Sequence, residues 1–215
     1  MTYPPLDNDA VLWARGVPDD GATRPLLVLL HGYGANEQDL FGLVPHLPDA
    51  FDYAAVRAPL SPPWPAPGYS WYPIEDLNSR DSAHVTAAAT GLINWLDAVA
   101  PDTVVGLLGF SQGGAVALQA LRVAPERFSF AVNLSGYATS GALPGDQALA
   151  ERAPSVFWGR GARDEVIPEP LIAHTTDWLP RHSTLSGRVY PDLGHSVSEA
   201  ELTDIQEFLE KWLAG

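Results

Sequence analysis

Cysteine is absent from all 215 residues. That excludes disulfides, a thiol nucleophile and Cys-ligated zinc, and it leaves redox chemistry silent about the compartment. Long apolar runs are missing as well. No stretch of 18 apolar residues exists, so no transmembrane helix and no stable membrane insertion are expected. The opening MTYPPLDNDA has neither a basic n-region nor an apolar core, so no secretory leader is expected, and a cytoplasmic protein is the default. Basic charge is scarce: 12 Lys and Arg stand against 26 Asp and Glu, a net charge of -14. Such a balance argues against nucleic-acid partners and against adhesion to anionic membranes. His, Asp and Glu show no metal-ligand spacing, no GxGxxG follows a strand, and the lysine of a P-loop is lacking. Neither a metal nor a nucleotide cofactor is expected. What remains is 46% hydrophobic, which fits one globular domain over residues 1–215 with a substantial core.

The most informative stretch is VVGLLGFSQGGAVAL, residues 104–118. An apolar, β-branched run leads into Gly109-Phe110-Ser111-Gln112-Gly113, and small apolar residues at helical spacing follow. Strand, Gly-x-Ser-x-Gly turn and helix together read as a nucleophile elbow, which lifts a serine hydroxyl to the strand's C-terminal end. The glycines belong there because the elbow is tight and its backbone strained. Alone, the pentapeptide also suits a plain strand-to-helix turn with Ser111 as N-cap; the flanking segments favour the elbow.

Around it, apolar segments alternate with helical ones. Strands are expected at Val11–Arg15, Pro25–Leu30, Tyr53–Val56, Phe128–Leu134, Pro154–Trp158 and Leu185–Tyr190. Helices are expected from Asp39 to Leu47 behind an Asn36 cap, from Asp81 or Ser82 onward, over Pro168–Leu179, and after the capping box Ser198-x-x-Glu201. Tyr137–Arg152 reads as a connection too short for a large cap domain. The segment PLSPPWPAPGYSWYP, residues 59–73, contains six prolines, so it is neither helix interior nor central strand. It is expected to be a stiff loop that either packs on the sheet or walls a substrate pocket. The whole predicts an α/β protein, a mostly parallel sheet with helices on both faces.

A serine hydroxyl needs a base. Of the six histidines, His195 in Asp192-Leu193-Gly194-His195-Ser196 follows the last strand and precedes the last helix, on the rim expected for Ser111. His31 ends a strand on that rim but more naturally braces the glycine-rich turn behind it. His46, His84, His174 and His182 lie in or beside helices. The base needs a carboxylate to fix its tautomer. Asp164, in the loop after Pro154–Trp158, is favoured over Glu165 and over Asp192, which sits close enough for a local turn bond. The order Ser, Asp, His is that of α/β-hydrolases. Oxyanion donors are expected from the backbone N–H groups of Gln112 and of Tyr33, in His31-Gly32-Tyr33-Gly34.

LLVLLHGYG, GFSQGGAVAL, GARDEVIP and YPDLGHSVSEAEL together resemble the carboxylesterase/lysophospholipase family, which includes acyl-protein thioesterases. The resemblance runs over residues 24–213. It implies an α/β-hydrolase without a large cap, cofactor-free hydrolysis of esters, and a monomer or homodimer acting on a small-molecule ester. Thioesters and lysophospholipids are further candidates. Ser111, Asp164 and His195 match the family's triad motifs, and Tyr33 and Gln112 match its oxyanion-hole positions. Three features depart from the pattern: the stretch at Trp71-Tyr72-Pro73, Arg160 where relatives often carry histidine, and the density of prolines in the loop. Tyr33, Trp64, Tyr69, Trp71 and Tyr72 are the residues expected to bind substrate. The short Tyr137–Arg152 connection implies an open site, suited to short- and medium-chain esters. The same scaffold also supports lactone hydrolases, peptidases, perhydrolases and non-catalytic binding proteins.

Overall fold

The chain alternates buried apolar runs with amphipathic segments, and its computed structural model describes residues 3–16, 24–63, 65–74 and 81–215. The strands among them are β1 (Leu12–Ala14), β2 (Leu26–Leu30), β3 (Asp52–Val56), β4 (Val105–Phe110), β5 (Phe130–Leu134), β6 (Ser155–Gly161) and β7 (Thr184–Tyr190). They form one sheet in the order β1-β3-β2-β4-β5-β6-β7. Only β1 runs antiparallel to its neighbour; the remaining pairs are parallel.

Burial explains the strand sequences. All five residues of β2 are buried, because helices cover both faces. Leu26, Val28 and Leu30 face one core, while Leu27 and Leu29 face the other. The first core lies under α2 (Ser82–Val99), α3 (Gln112–Val123), α4 (Asp146–Arg152) and α5 (Glu169–His182); the second lies under α1 (Glu37–Phe41) and α6 (Glu199–Leu213). Asn36, Asp81 and Ser198 cap α1, α2 and α6 through their side chains, as their positions predict.

Two expectations need correction. The helix expected over Asp39–Leu47 is instead the short α1 followed by one 3-10 turn at Val44–His46. Gly42 caps α1, and Pro45 lacks the N–H that a continued helix would require. The Tyr137–Arg152 connection carries α4, with Leu149 as its one buried residue, too little for a periodic signal. Arg122 of α3 anchors this connection. It is fully buried, donates to Asp146 at 2.7 and 2.8 Å, and donates to the carbonyls of Thr139 and Gly141.

The parallel register places the C-terminal ends of β2, β4, β5 and β6 along one rim: Leu30 pairs with Gly109, Phe110 with Leu134, and Leu134 with Gly159. Ligands bind at such a rim in open α/β sheets. Among the described residues no helix is long and apolar enough to cross a membrane.

Candidate active site

The elbow at the centre of the rim owes its shape to two close approaches. A Cβ on Gly109 would stand 2.3 Å from the carbonyl oxygen of Gly113, and one on Gly113 would stand 1.9 Å from that of Leu30. No side chain fits at either position. Ser111 between them takes φ 54° and ψ -113°, a left-handed strain that a non-glycine residue holds only when its surroundings fix it. They do: Ser111 N–H donates to the Leu134 carbonyl at 2.8 Å, and Ala115 N–H donates to the Ser111 carbonyl at 3.0 Å.

The rim loops after β6 and β7 deliver the partners. His195 Nε2 lies 2.9 Å from Ser111 Oγ, and its Nδ1 lies 2.7 Å from Asp164 Oδ2. The other oxygen, Asp164 Oδ1, accepts from the N–H groups of Val166 and Ile167 at 2.9 and 3.2 Å. The Asp164 side chain is 2% exposed and that of His195 15%. A buried carboxylate held by two backbone donors therefore fixes Nδ1 as the protonated nitrogen and leaves Nε2 as the acceptor facing the hydroxyl. Asp192 makes no such contact; it pairs with Arg163 at 2.6 Å on the surface. His84 bonds Tyr3, His174 bonds the Thr139 carbonyl and His182 the Trp178 carbonyl.

Gln112 is the first residue of α3, so its N–H has no acceptor within the helix. The turn carrying Tyr33 is braced by His31. Burial holds the His31 imidazole neutral, with its pKa pushed down. Its Nε2 accepts from Ala58 N–H at 3.1 Å, and its Nδ1 donates to the Gly32 carbonyl at 2.7 Å. Trp71 Nε1 donates to the His31 carbonyl at 2.9 Å. The Gln112 side chain ties the same loop to the elbow: its Oε1 accepts from Trp71 N–H at 2.8 Å, and its Nε2 donates to the Tyr72 carbonyl at 2.7 Å.

These elements surround a cleft of about 380 Å³ that contains Ser111, Gln112, Tyr33 and His195. Its apolar walls come from Tyr72, Ile74, Phe110, Tyr137, Val166 and Ile167. A larger groove, between the segment 45–50 and α6, includes none of the residues around Ser111. Among the described residues no group of His, Asp and Glu could hold a metal ion.

The sequence profile of the phospholipase/carboxylesterase family matches residues 16–213. The chain belongs to that family. A protein named "Probable carboxylesterase SOBER1-like" from Arabidopsis thaliana is 26% identical over 218 residues, which cover 94% of this chain and 77% of the relative. Acyl-protein thioesterase 1 of Debaryomyces hansenii is 25% identical over 179 residues, 75% of this chain and 76% of the relative. The crystal structure of the Bacillus cereus carboxylesterase is similar with a TM-score of 0.79 at 19% identity, covering 94% of this chain and 93% of the other. At that identity the likeness establishes the α/β-hydrolase fold.

For this member of the phospholipase/carboxylesterase family, the structure redistributes the residues expected to bind substrate. Tyr33 and Tyr72 line the cleft. Trp71 does not: its indole is buried against the His31 turn, where it supports the loop. Tyr69 packs beneath the Arg57 guanidinium, 4.8 Å from it, with its backbone bonded to Gly34 and Ala35. Trp64 lies outside the described residues. Phe110, Tyr137, Val166 and Ile167 were not foreseen. Phe110 adjoins the nucleophile in sequence, and Val166 and Ile167 follow Asp164, so adjacency to the triad candidates was the available signal.

Proposed function

We propose that the chain is a serine carboxylesterase, a single α/β-hydrolase domain that cleaves short- to medium-chain carboxylic esters through an acyl-enzyme. The observation that carries the reading is the unbroken relay from Asp164 through both nitrogens of His195 to Ser111 Oγ. In it Ser111 Oγ attacks the acyl carbonyl while His195 Nε2 takes the hydroxyl proton. The Asp164 carboxylate orients the ring and stabilises the imidazolium. Backbone N–H groups of Tyr33 and Gln112 receive the oxyanion, each worth about 3–4 kcal/mol in the transition state. His195 then protonates the leaving alkoxide. Water, activated by the same imidazole, clears the acyl group and restores Ser111.

The size of the cleft, about 380 Å³, is near the small end for ligand pockets and favours short and medium acyl chains. Thioesters, in line with the name of the Debaryomyces hansenii relative, and lysophospholipids, in line with the family's description, use the same chemistry and stay within the class. The reading includes a cytoplasmic monomer or homodimer; among the described residues no helix is long and apolar enough to cross a membrane.

A panel of acetyl, butyryl, octanoyl and palmitoyl esters with purified protein tests the reading, with Ser111→Ala as the blank. Hydrolysis should peak at butyryl or octanoyl and vanish in the variant. A palmitoyl optimum refutes the chain-length assignment; undiminished hydrolysis by Ser111→Ala refutes the mechanism. Fluorophosphonate labelling that is lost in Ser111→Ala separates an enzyme from a non-catalytic binding protein.

A further inference from the structure

Two clefts meet at His195. The first is the one containing Ser111. The second, of about 280 Å³, is walled by Leu40, Leu43, Phe110, His195, Ser196 and Val197. Phe110, His195 and Asp39 border both clefts, whereas Ser111, Gln112 and Tyr33 border only the first. Phe110 packs on the imidazole with 4.9 Å between ring centroids, and both rings border both clefts.

Chemistry assigns the two sides. In the tetrahedral intermediate the carbon carries the Ser111 oxygen, the oxyanion, the acyl chain and the leaving oxygen. As the bond from carbon to the leaving oxygen breaks, the proton on His195 Nε2 passes to that oxygen, and the departing alcohol is neutral. The leaving oxygen must therefore reach His195 Nε2, 2.9 Å from Ser111 Oγ, and from there its substituent can extend past the shared imidazole into the second cleft. The acyl chain must lie where Ser111 and the candidate oxyanion donors open, in the first cleft. Charge adds a second criterion. Apart from His195, Asp39 is the only ionisable acid or base among the described residues of either lining other than tyrosine. It is exposed, it is the third residue of α1, and among the described residues no lysine or arginine borders either cleft.

Building on the esterase reading, we propose that the second cleft is the leaving-group subsite and that Asp39 sets its charge preference. It takes compact alcohols with an apolar body, neutral or cationic, and disfavours anionic leaving groups such as coenzyme A. Asp39 also has a structural role open to it, since an acid in the first turn stabilises a helix. That role would change the rate of every ester alike, and the test must separate the two.

The experiment compares kcat/KM of the full chain for three butyrate esters: choline, its uncharged isostere 3,3-dimethylbutanol, and anionic 2-sulfoethanol. At low salt each unit of charge should change kcat/KM by about threefold, the scale of a near-aqueous charge pair several ångströms apart. The order should be cation, neutral, anion. Asp39→Asn should bring the three to within about twofold of one another. Leu43→Trp should depress the dimethylbutyl ester about tenfold relative to methyl butyrate, with the ratio of methyl octanoate to methyl butyrate unmoved; methyl butyrate reports that the variant is folded.

Each contrary result is decisive. A charge preference that survives Asp39→Asn but disappears in about 0.5 M salt belongs to the field of the whole chain and overturns the role of Asp39. A Leu43→Trp effect on acyl length means that the clefts are assigned the wrong way round. Hydrolysis of all three esters at equal rates overturns this proposal and leaves the esterase reading standing, while failure to hydrolyse any ester overturns both.

Discussion

Gln112 offers the sharpest perturbation, because its backbone and side chain have separable roles. Its N–H is one of the two oxyanion donors we propose, and its amide carries the bonds that hold the aromatic loop. Gln112→Met keeps the backbone donor and the approximate side-chain volume but removes the amide. Two buried backbone groups are affected. Trp71 N–H loses its acceptor at 2.8 Å, at about 1–3 kcal/mol for a buried donor left unpaired. The Tyr72 carbonyl loses the donor at 2.7 Å but keeps the Ser70 hydroxyl at 2.7 Å, so its loss is nearer 1 kcal/mol. The sum, about 2–4 kcal/mol, corresponds to a fall in Tm of roughly 4–16 °C for a chain of this size. The loop also carries the Trp71 indole that bonds the His31 carbonyl, one residue before the Gly32-Tyr33 turn. Loosening it displaces Tyr33 N–H, the second donor proposed for the oxyanion, so kcat should fall about tenfold or more with KM changing less. Thermal unfolding and steady-state kinetics on a butyryl ester read the two effects. A variant that keeps both its Tm and its kcat would refute the claim that this amide positions the turn.

Three further outcomes are expected. Burial pushes the His31 pKa down from its ordinary 6.5, so the unfolded chain binds a proton that the native state refuses; the contribution is intact above pH about 6.5 and is lost as pH falls below it. His31→Gln should flatten that part of the stability profile measured by urea unfolding, and an unaltered slope would contradict the neutral, doubly bonded ring. Glu201 has the opposite sign. It is fully buried with no close hydrogen-bond partner on either carboxyl oxygen, and burial pushes its pKa from 4.5 up to about 7 against the pull of the Ser198 N–H. Stability linked to its proton is present below pH about 4.5 and lost as pH rises through about 7, so Glu201→Gln should stabilise the protein at pH 8, by up to about 3 kcal/mol, with little effect at pH 4. Finally, Asp146→Ala strands the fully buried Arg122 guanidinium and should cost about 3–5 kcal/mol in denaturant unfolding; a loss under about 1 kcal/mol would mean that the Thr139 and Gly141 carbonyls suffice.

The uneven legibility of this chain has a physical origin. Ser111 and Asp164 sit in loops directly after the buried strands β4 and β6, and His195 in the loop after the edge strand β7; a parallel sheet puts all such loops on one rim whatever its helices do. Short-range patterns were therefore enough to name residues that the fold brings within 3 Å of one another. The cleft walls obey no such rule. Trp71 and Tyr72 are adjacent and similarly aromatic, yet one ring goes under the His31 turn and the other into the cleft. The choice is made by Gln112, forty-odd residues later in the chain, and no local pattern encodes it. The same holds for Arg122: a charged residue on an otherwise apolar helix face suggests a solvated position, and only the carbonyls of Thr139 and Gly141 and the carboxylate of α4 make full burial tolerable. Where a role depends on strand order it could be read in advance. Where it depends on which distant carbonyl meets which side chain, it could not, and in this protein those contacts determine the shape of the cleft beside Ser111.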